Sequence, residues 1–461
     1  IINSGYSFPT TRLLISLSPA DIKKSSPAFD LPIAISILGA FKSQIKASLL
    51  NNDYYFLGEL NLDGKILPIK GLLACLSGIN NKNQPVIIIP KENLSEANLI
   101  SGLKLLPVEN LKALIDWLNQ PQEKDIVYSQ GFSETDYNTI NHVPLLIKGQ
   151  EHAKRALQIA ATGQHNILFI GPPGSGKTML AKYAIGLYPQ LSQQEALEVS
   201  TIYSLAGLLQ ADQPLVTTCP FRNPHHQCSN VSIIGGGSYP RPGEVTLAHR
   251  GILFLDELPE FSQATLEALR QPLEDGQVTI ARASLTVTYP ARFSLIAAAN
   301  PCPCGYAGDK ETNCTCSTLM INRYKKKFSG PLLDRIDMHI WVSRPKTKQL
   351  IEKVSNDEMI KEYQDIVKKI NSARLVQKQR KIQYKLSTNY NSQLSNKETE
   401  IVCSLNQESK ILIEKSINKL NLSARSYYRI LKISRSIADL DNCEHIKTEH
   451  LAEALQYRQI L

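Results

Sequence analysis

Residues 164–181 read "QHNILFIGPPGSGKTMLA", and this stretch constrains the fold more than any other. Four apolar residues, Ile167–Ile170, run into Gly171-x-x-x-x-Gly176-Lys177-Thr178, and an Ala-containing helical pattern follows. A strand, a glycine-rich loop and a helix in that order turn backbone N–H groups inward around phosphate oxygens, at the positive end of a helix. The loop residues Gly171, Pro172, Pro173, Gly174, Ser175, Gly176, Lys177 and Thr178 are therefore candidates to hold the phosphates of ATP. Lys177 would reach the β- and γ-phosphates, and the Thr178 hydroxyl would ligate Mg²⁺. Apolar strands alternate with helices from about 144 to 345, so a largely parallel α/β sheet is expected.

A second stretch, "GILFLDELPEF", supplies the partner. Another four-residue apolar run, Ile252–Leu255, ends in Asp256-Glu257. A buried strand that ends in two acids places Asp256 near Mg²⁺ and Glu257 where it can polarise an attacking water. An exposed acidic turn is the plainer alternative. Together the two motifs predict nucleotide hydrolysis.

The 461 residues suffice for several domains. Hydrophobic content of 43% with 20% charge fits a folded chain rather than a disordered one. No apolar run approaches the roughly 20 residues of a membrane span, so no membrane association is expected. A net charge of +9 permits a polyanionic partner. Nine cysteines, an odd number, with five of them scattered, argue against a disulfide framework and for a reducing, cytoplasmic setting. The chain begins at Ile1 without a Met and enters as though mid-domain.

Along the chain, residues 1–119 alternate strand-like runs (Leu13–Leu17, Val86–Ile89) with helical patterns (Pro32–Ala40, Leu111–Leu118). Residues 120–143 are polar and aperiodic and read as a linker. Residues 144–345 alternate apolar strands with helices. Residues 346–395 read as a Lys-rich helical insert, and 396–461 as a small helical bundle.

With these motifs in place, the sequence resembles the AAA+ ATPases. It is most similar to the magnesium-chelatase-like ComM family of DNA branch-migration helicases, also called YifB. The resemblance rests on "PFRNPHH" (220–226), "IGGGSYPRPGEVTLAHRGILFLDELPEF" (234–261), "AAANPCPCGYAGD" (297–309), "SGPLLDRID" (329–337) and "LSARSYYRILKISRSIADL" (422–440), in that order. It implies an α/β AAA+ P-loop ATPase core with a C-terminal helical lid, preceded by a Lon-protease-like α+β domain. It also implies that Asn300 is sensor 1, which reads the γ-phosphate or orients water. By the same resemblance Arg335 is the arginine finger, acting on a neighbouring subunit's nucleotide, and Arg425 is sensor 2 in the lid. A finger in trans implies a ring, here a homo-hexamer. The plainer reading of each lone arginine is a salt-bridged surface residue. On the helical pattern at 423–440, Arg425, Arg429, Lys432 and Arg435 share one face, with Ser423 as a candidate N-cap.

For nucleic acid, the long interval between Lys177 and Asp256 leaves room for an insertion that includes the Gly-rich 232–244. Val278–Ile280 and Leu285–Thr288 read as a hairpin with Arg282 at its tip. The resemblance implies that these are pore-lining elements, with Arg282 on the backbone of single-stranded or branched DNA. An arginine on an exposed hairpin with no such role remains open. The run "NRYKKKF", with Lys325, Lys326 and Lys327, is either a solvated face or a DNA contact.

In the N-terminal region the Lon-like resemblance places Ala28 and Leu73 where a Ser–Lys dyad would stand, and Lys70 with Ser25/Ser26 does not match it. No protease activity is expected. The family's domain begins before "INSGYSFP", so its first strands are expected to be missing.

Finally, "NPCPCGYAGDKETNCTC" holds Cys302, Cys304, Cys314 and Cys316 in two Cys-x-Cys pairs. Four thiolates can enclose one tetrahedral Zn²⁺ in a closed, structural site. A redox pair and unliganded thiols are the alternatives. The function the resemblance implies is ATP-driven branch migration, supporting integration of incoming DNA in natural transformation alongside recombination proteins. The rivals are a magnesium-chelatase-type motor, expected to lack both the Lon-like domain and the cysteine cluster, an ATP-dependent protease, and an ATPase that only remodels protein partners.

Overall fold

The structure is a computed structural model that describes residues 1–18, 26–41, 45, 54–79, 84–132, 145–210, 212–237, 239–282, 285–328, 330–345, 355–420 and 423–458. Its centre is a five-stranded parallel sheet. The strands lie in the order Met338–Trp341, Ile167–Ile170, Ser294–Ala299, Ile252–Leu255, Phe221–Arg222. The two apolar runs of the phosphate motifs are thus separated by a single strand. Ile167–Ile170, Ser294–Ala299 and Ile252–Leu255 are buried at every position, as a parallel sheet covered on both faces requires.

Period-two alternation divides these runs between two cores. Phe169, Phe254, Ile296 and Ile340 face one, and Leu168, Leu253, Leu295 and Ala297 face the other. The first core is shared with the C-terminal helices. Ile366, Ile370 and Ala373 of the helix Asn356–Tyr384 join it, as do Ile430, Leu431 and Ile437 of the helix Ala424–Leu440. Ser355 and Glu358 start the longer helix with a reciprocal capping box, and Ser423 caps the other by accepting from Ser426 N–H. The helical C-terminal part is therefore built onto the sheet, not hung from it.

The N-terminal region forms its own sheet, Tyr54–Phe56, Val86–Pro90, Lys104–Val108 and Val127–Tyr128, the last strand antiparallel. Helix Leu72–Ser77 lies on helix Gln193–Ala206 of the core, and Leu73, Leu99, Ala196 and Val199 share one apolar cluster between the two. At that seam the Glu96 carboxylate accepts from Ser204 Oγ, from Leu73 N–H (3.3 Å) and from Asn93 Nδ2 (2.8 Å).

Two local expectations fail. Leu13–Leu17 is not a strand, and Leu14 is 96% exposed. Its apolar residues have no described neighbouring strand to pair with, and a period-two pattern gains nothing without one. The polar stretch after 120 is not all irregular. Its Val127–Tyr128 pairs with Lys104–Leu105, because a sheet edge can take up any extended segment whose N–H and C=O groups reach it. Residues 133–144 lie outside the described residues, as do Ser25, Leu422 and all of 346–354.

Candidate functional site

Three loops leave the C-terminal edge of the central sheet side by side, after Ile170, Ala299 and Leu255. In open α/β sheets this edge is where ligands bind. The first loop carries Lys177, whose ammonium donates to the carbonyls of Gly171 (2.8 Å) and Pro172 (3.0 Å) and to Asn300 Oδ1 (3.2 Å). Burial lowers the Lys177 pKa, opposed by Asp256 and Glu257. Gly174 and Gly176 have φ of 74° and 90°, a region that disfavours side chains, and Gly176 leads directly into helix Lys177–Leu187. Gly171 is confined for another reason: a Cβ there would stand 2.1 Å from the Val342 carbonyl oxygen.

The acid pair meets this loop. Thr178 Oγ1 donates to Asp256 Oδ2 (2.8 Å), and Glu257 N–H donates to Asp256 Oδ1 (3.0 Å). A hydroxyl and a carboxylate so close, both oxygen ligands, form a site that suits Mg²⁺. Glu257 has φ 51°, a left-handed conformation uncommon for a residue with a side chain. Its Oε2 lies 3.3 Å from His226 Nδ1, and the His226 ring stands edge-on to Phe261. No local pattern in the sequence marks His226, because its contact with Glu257 joins segments far apart along the chain. Glu257 and Asn300 open on one cavity of about 450 Å³, together with Arg323, Tyr324 and Lys327. Lys327 is paired with Glu260 (3.2 Å) and lies over the Tyr324 ring, whereas Lys325 and Lys326 are exposed.

Arg335 and Arg425 lie elsewhere. Arg335 precedes the strand Met338–Trp341, at the edge where the parallel strands begin, while the Gly171 loop is at the edge where they end. Strands of this length span roughly 13 Å. Arg335 is buried and donates to the Pro331 carbonyl (2.8 Å) and to the Glu274 carboxylate, and Arg425 Nη2 donates to the other oxygen of Glu274 (2.9 Å). The Arg335 hydrogen bond, with the positive charges around it, holds the Glu274 pKa below its ordinary value. One carboxylate thus gathers both arginines at the wall of a cavity of about 700 Å³, which Arg429 and Lys432 also line and no residue of 171–178 does.

Below it, Arg429 Nη1 donates to Asp337 Oδ1 (2.9 Å) and Asn166 N–H to Asp337 Oδ2 (2.9 Å). Burial would raise the Asp337 pKa, but Arg429, His165 and the Asn166 N–H hold it well below the usual carboxylate range. Arg435 does not line that cavity with Arg425, Arg429 and Lys432, with which helical spacing grouped it on one face. It is buried, donating to Asp439 Oδ1 (3.0 Å) and to the Glu444 carbonyl (2.7 Å), so the interior satisfies its charge.

Arg282 is exposed near the end of the hairpin Gln277–Arg282/Leu285–Pro290, whose turn residues 283–284 lie outside the described residues. The Gly-rich segment packs against this hairpin. Tyr289 Oη donates to the Pro240 carbonyl (2.8 Å), and a Cβ on Gly236 would lie 3.4 Å from Arg282 Nη2. Exposed Tyr239 and Arg241 belong to the same rim.

Cys302, Cys304, Cys314 and Cys316 converge, with their sulfurs all within 4.8 Å of one another. Three separations are 3.3, 3.5 and 3.7 Å. Sulfurs around a tetrahedral Zn²⁺, bonded at about 2.3 Å, lie about 3.8 Å apart, so the donor set fits the ion. Backbone N–H groups already point at the sulfurs: Ala307 to Cys302 (3.3 Å), Cys304 to Cys316 (3.4 Å) and Cys316 to Cys314 (3.4 Å). Such donors favour thiolates and steady a metal's ligands. In the N-terminal sheet region, Ala28 packs beside the Ile69–Leu72–Leu76 cluster and Leu73 is fully buried, so apolar contact fills the positions of a Ser–Lys dyad.

Three family models match the chain: "Magnesium chelatase, subunit ChlI" over residues 145–350, "Subunit ChlI of Mg-chelatase" over 1–93, and "Magnesium chelatase, subunit ChlI C-terminal" over 361–458. The N-terminal match bears the chelatase name too, so that region does not separate this chain from a chelatase, contrary to the expectation that such a motor lacks it. Competence protein ComM of Haemophilus influenzae is 40% identical over 466 residues, which is 100% of this chain and 88% of that protein. YifB of Escherichia coli is 39% identical over 463 residues, 100% of this chain and 87% of its own. DNA replication licensing factor mcm6 of Dictyostelium discoideum is 25% identical over 196 residues, 42% of this chain and 19% of its own. Among the described residues no helix is long and apolar enough to cross a membrane.

Proposed function

The chain belongs to the ComM/YifB family of magnesium-chelatase-like AAA+ ATPases, and from that premise we propose that it is an ATP-driven motor on single-stranded or branched DNA, assembled as a homo-hexamer in the cytoplasm. The observation that carries this reading is the separation of the two halves of a nucleotide site. Lys177, Thr178, Asp256, Glu257 and Asn300 gather at one edge of the sheet, and Arg335 and Arg425 at the other. A chain arranged so completes its site only with a neighbour.

In this reading the 171–178 loop and Lys177 bind the phosphates, and Thr178 and Asp256 hold Mg²⁺, which offsets charge on the β- and γ-oxygens. Glu257 polarises the attacking water, and Asn300 senses the γ-phosphate. Arg335 and Arg425 of the next subunit stabilise the charge that develops on the transferred phosphoryl group. Arg282, with the Gly-rich segment beside it, follows the DNA backbone, and Lys325 and Lys326 add positive charge. The four cysteines hold a structural Zn²⁺. Branch migration during recombination, and integration of incoming DNA in natural transformation, would be the work done.

Subunit mixing tests the site. Lys177→Ala and Arg335→Ala proteins, each without ATPase activity, should regain hydrolysis when combined, because a mixed ring pairs an intact loop with an intact arginine. No recovery, with both variants shown to assemble, would sink the reading. The second reading, a motor for Mg²⁺ insertion into a porphyrin, is favoured by the chelatase family matches. ATP hydrolysis unaffected by DNA would favour it over the first.

A further inference from the structure

The four-cysteine loop does not stand apart from the nucleotide edge. Cys302 follows Asn300 by two residues, and Asn300 Oδ1 takes a hydrogen bond from Lys177. Gly305 N–H donates to the Cys302 carbonyl (3.0 Å) and closes a tight turn between the two cysteines and the rest of the loop. That turn sits on the phosphate loop itself: a Cβ on Gly305 would lie 2.6 Å from Pro173 Cδ. Gly305 also has φ 89°, so it is glycine for its conformation as well as for its contact.

The far side of the cysteine loop is anchored too. The Tyr306 ring lies under the Arg344 guanidinium (5.2 Å), and Arg344 donates to Thr312 Oγ1 (3.3 Å). Gly308 is flush with the Trp341 indole, where a Cβ would lie 3.3 Å away. Trp341 pairs with Ile170, and the next carbonyl, Val342, is the one that presses on Gly171. The loop therefore bears on residues 171–173 from two sides.

We propose that the metal held by Cys302, Cys304, Cys314 and Cys316 sets the position of the phosphate loop, so that ATP affinity depends on whether the metal is bound. This rests on the zinc reading above. With Zn²⁺ in place the two Cys-x-Cys pairs are fixed to one centre, and Gly305 is fixed against Pro173. Without it the two Cys-x-Cys pairs share no centre, the loop is held only by the Gly305–Cys302 hydrogen bond and the Arg344 and Trp341 contacts, and Gly305 and Asn300 can shift against the loop they touch. The structure of a closed four-thiolate site adds no open position for chemistry; its effect on the enzyme is exerted through this contact.

The test uses the full chain in reducing buffer. Zinc is counted by atomic absorption, and ATP affinity is read by titration with a fluorescent ATP analogue. The zinc-loaded protein is compared with protein stripped by a chelator and with Gly305→Ala. The expected results are one zinc per chain and an ATP Kd weaker by about tenfold after stripping, restored on adding Zn²⁺ back. Gly305→Ala should keep its zinc and lose affinity to a similar degree, and it decides the matter if stripping unfolds the protein. Affinity within twofold of the loaded protein in Gly305→Ala overturns the coupling while leaving the metal site intact. A chain that neither contains zinc nor takes it up overturns the zinc reading instead.

Discussion

Replacing Asp337 by Ala should destabilise the core more than any exposed substitution in this chain. The Asp337 side chain is 9% exposed and serves two donors, Arg429 Nη1 and Asn166 N–H at 2.9 Å each, with His165 Nδ1 nearby at 3.5 Å. Removing the carboxylate leaves a guanidinium that is 16% exposed without its counter-charge and a backbone N–H without an acceptor. Stranding one member of a buried pair costs about 3–5 kcal/mol and an orphaned amide about 1–3 kcal/mol, and the partial exposure of Arg429 keeps the sum at its low end. The expected loss is therefore about 4 kcal/mol. Asp337→Asn, which keeps the shape and one acceptor oxygen, should lose about half as much. Chemical denaturation followed by the fluorescence of Trp341, at the end of the strand that Asp337 precedes, reads the core directly. A double-mutant cycle with Arg429→Met isolates the pair and should give a coupling above 1 kcal/mol. A loss below 1 kcal/mol for Asp337→Ala, or a coupling near zero, would refute the claim that this carboxylate joins the lid helix to the sheet.

Three further outcomes follow from particular contacts. Glu274 occupies two guanidiniums that the proposed mechanism gives to a neighbour's phosphate, so Glu274→Gln should shift nucleotide-dependent assembly to lower protein concentration in analytical ultracentrifugation; a shift to higher concentration would mean that Glu274 orients the arginines rather than competing for them. Burial, with the nearby Arg458 charge, holds His339 down to about 4, against about 6.5 in an unfolded chain. The unfolded chain then binds a proton that the folded one does not, so stability should fall by up to about 3 kcal/mol as pH drops from 6.5 towards 4, and His339→Gln should flatten that slope in thermal melts; an equal slope in the variant contradicts it. Arg282→Ala should weaken DNA binding without regard to sequence and lower the salt slope of binding by about 1, and an unchanged slope removes Arg282 from the DNA face.

The sheet-edge residues were legible because each ends a continuous apolar run: Ile167–Ile170 before Gly171, Ile252–Leu255 before Asp256, Leu295–Ala299 before Asn300. Runs of that kind are buried on both faces, and buried parallel strands deliver their following loops to one edge. The hairpin around Arg282 was legible from alternation and a turn. What escaped were relations between distant segments. Nothing near Glu274 marks it as the partner of Arg335 and Arg425, which lie far along the chain. Helical spacing put Arg435 on one face with Arg425, Arg429 and Lys432, and its burial could not be read there because the carbonyls that receive it come from the turn after its own helix. The contact of Gly305 with Pro173 was hidden for the same reason: the phosphate loop and the cysteine loop were each readable alone, and only the fold brings them together.

The central claim is that ATP hydrolysis at the Lys177 edge moves DNA strands. A synthetic three-stranded or four-way junction with labelled arms, incubated with the full chain and ATP, measures this directly. Conversion of the junction to its products should depend on ATP and be absent with Lys177→Ala or Glu257→Gln and with ATP withheld. A wild-type protein that hydrolyses ATP while leaving the junction unmoved, and whose hydrolysis DNA does not stimulate, would contradict it.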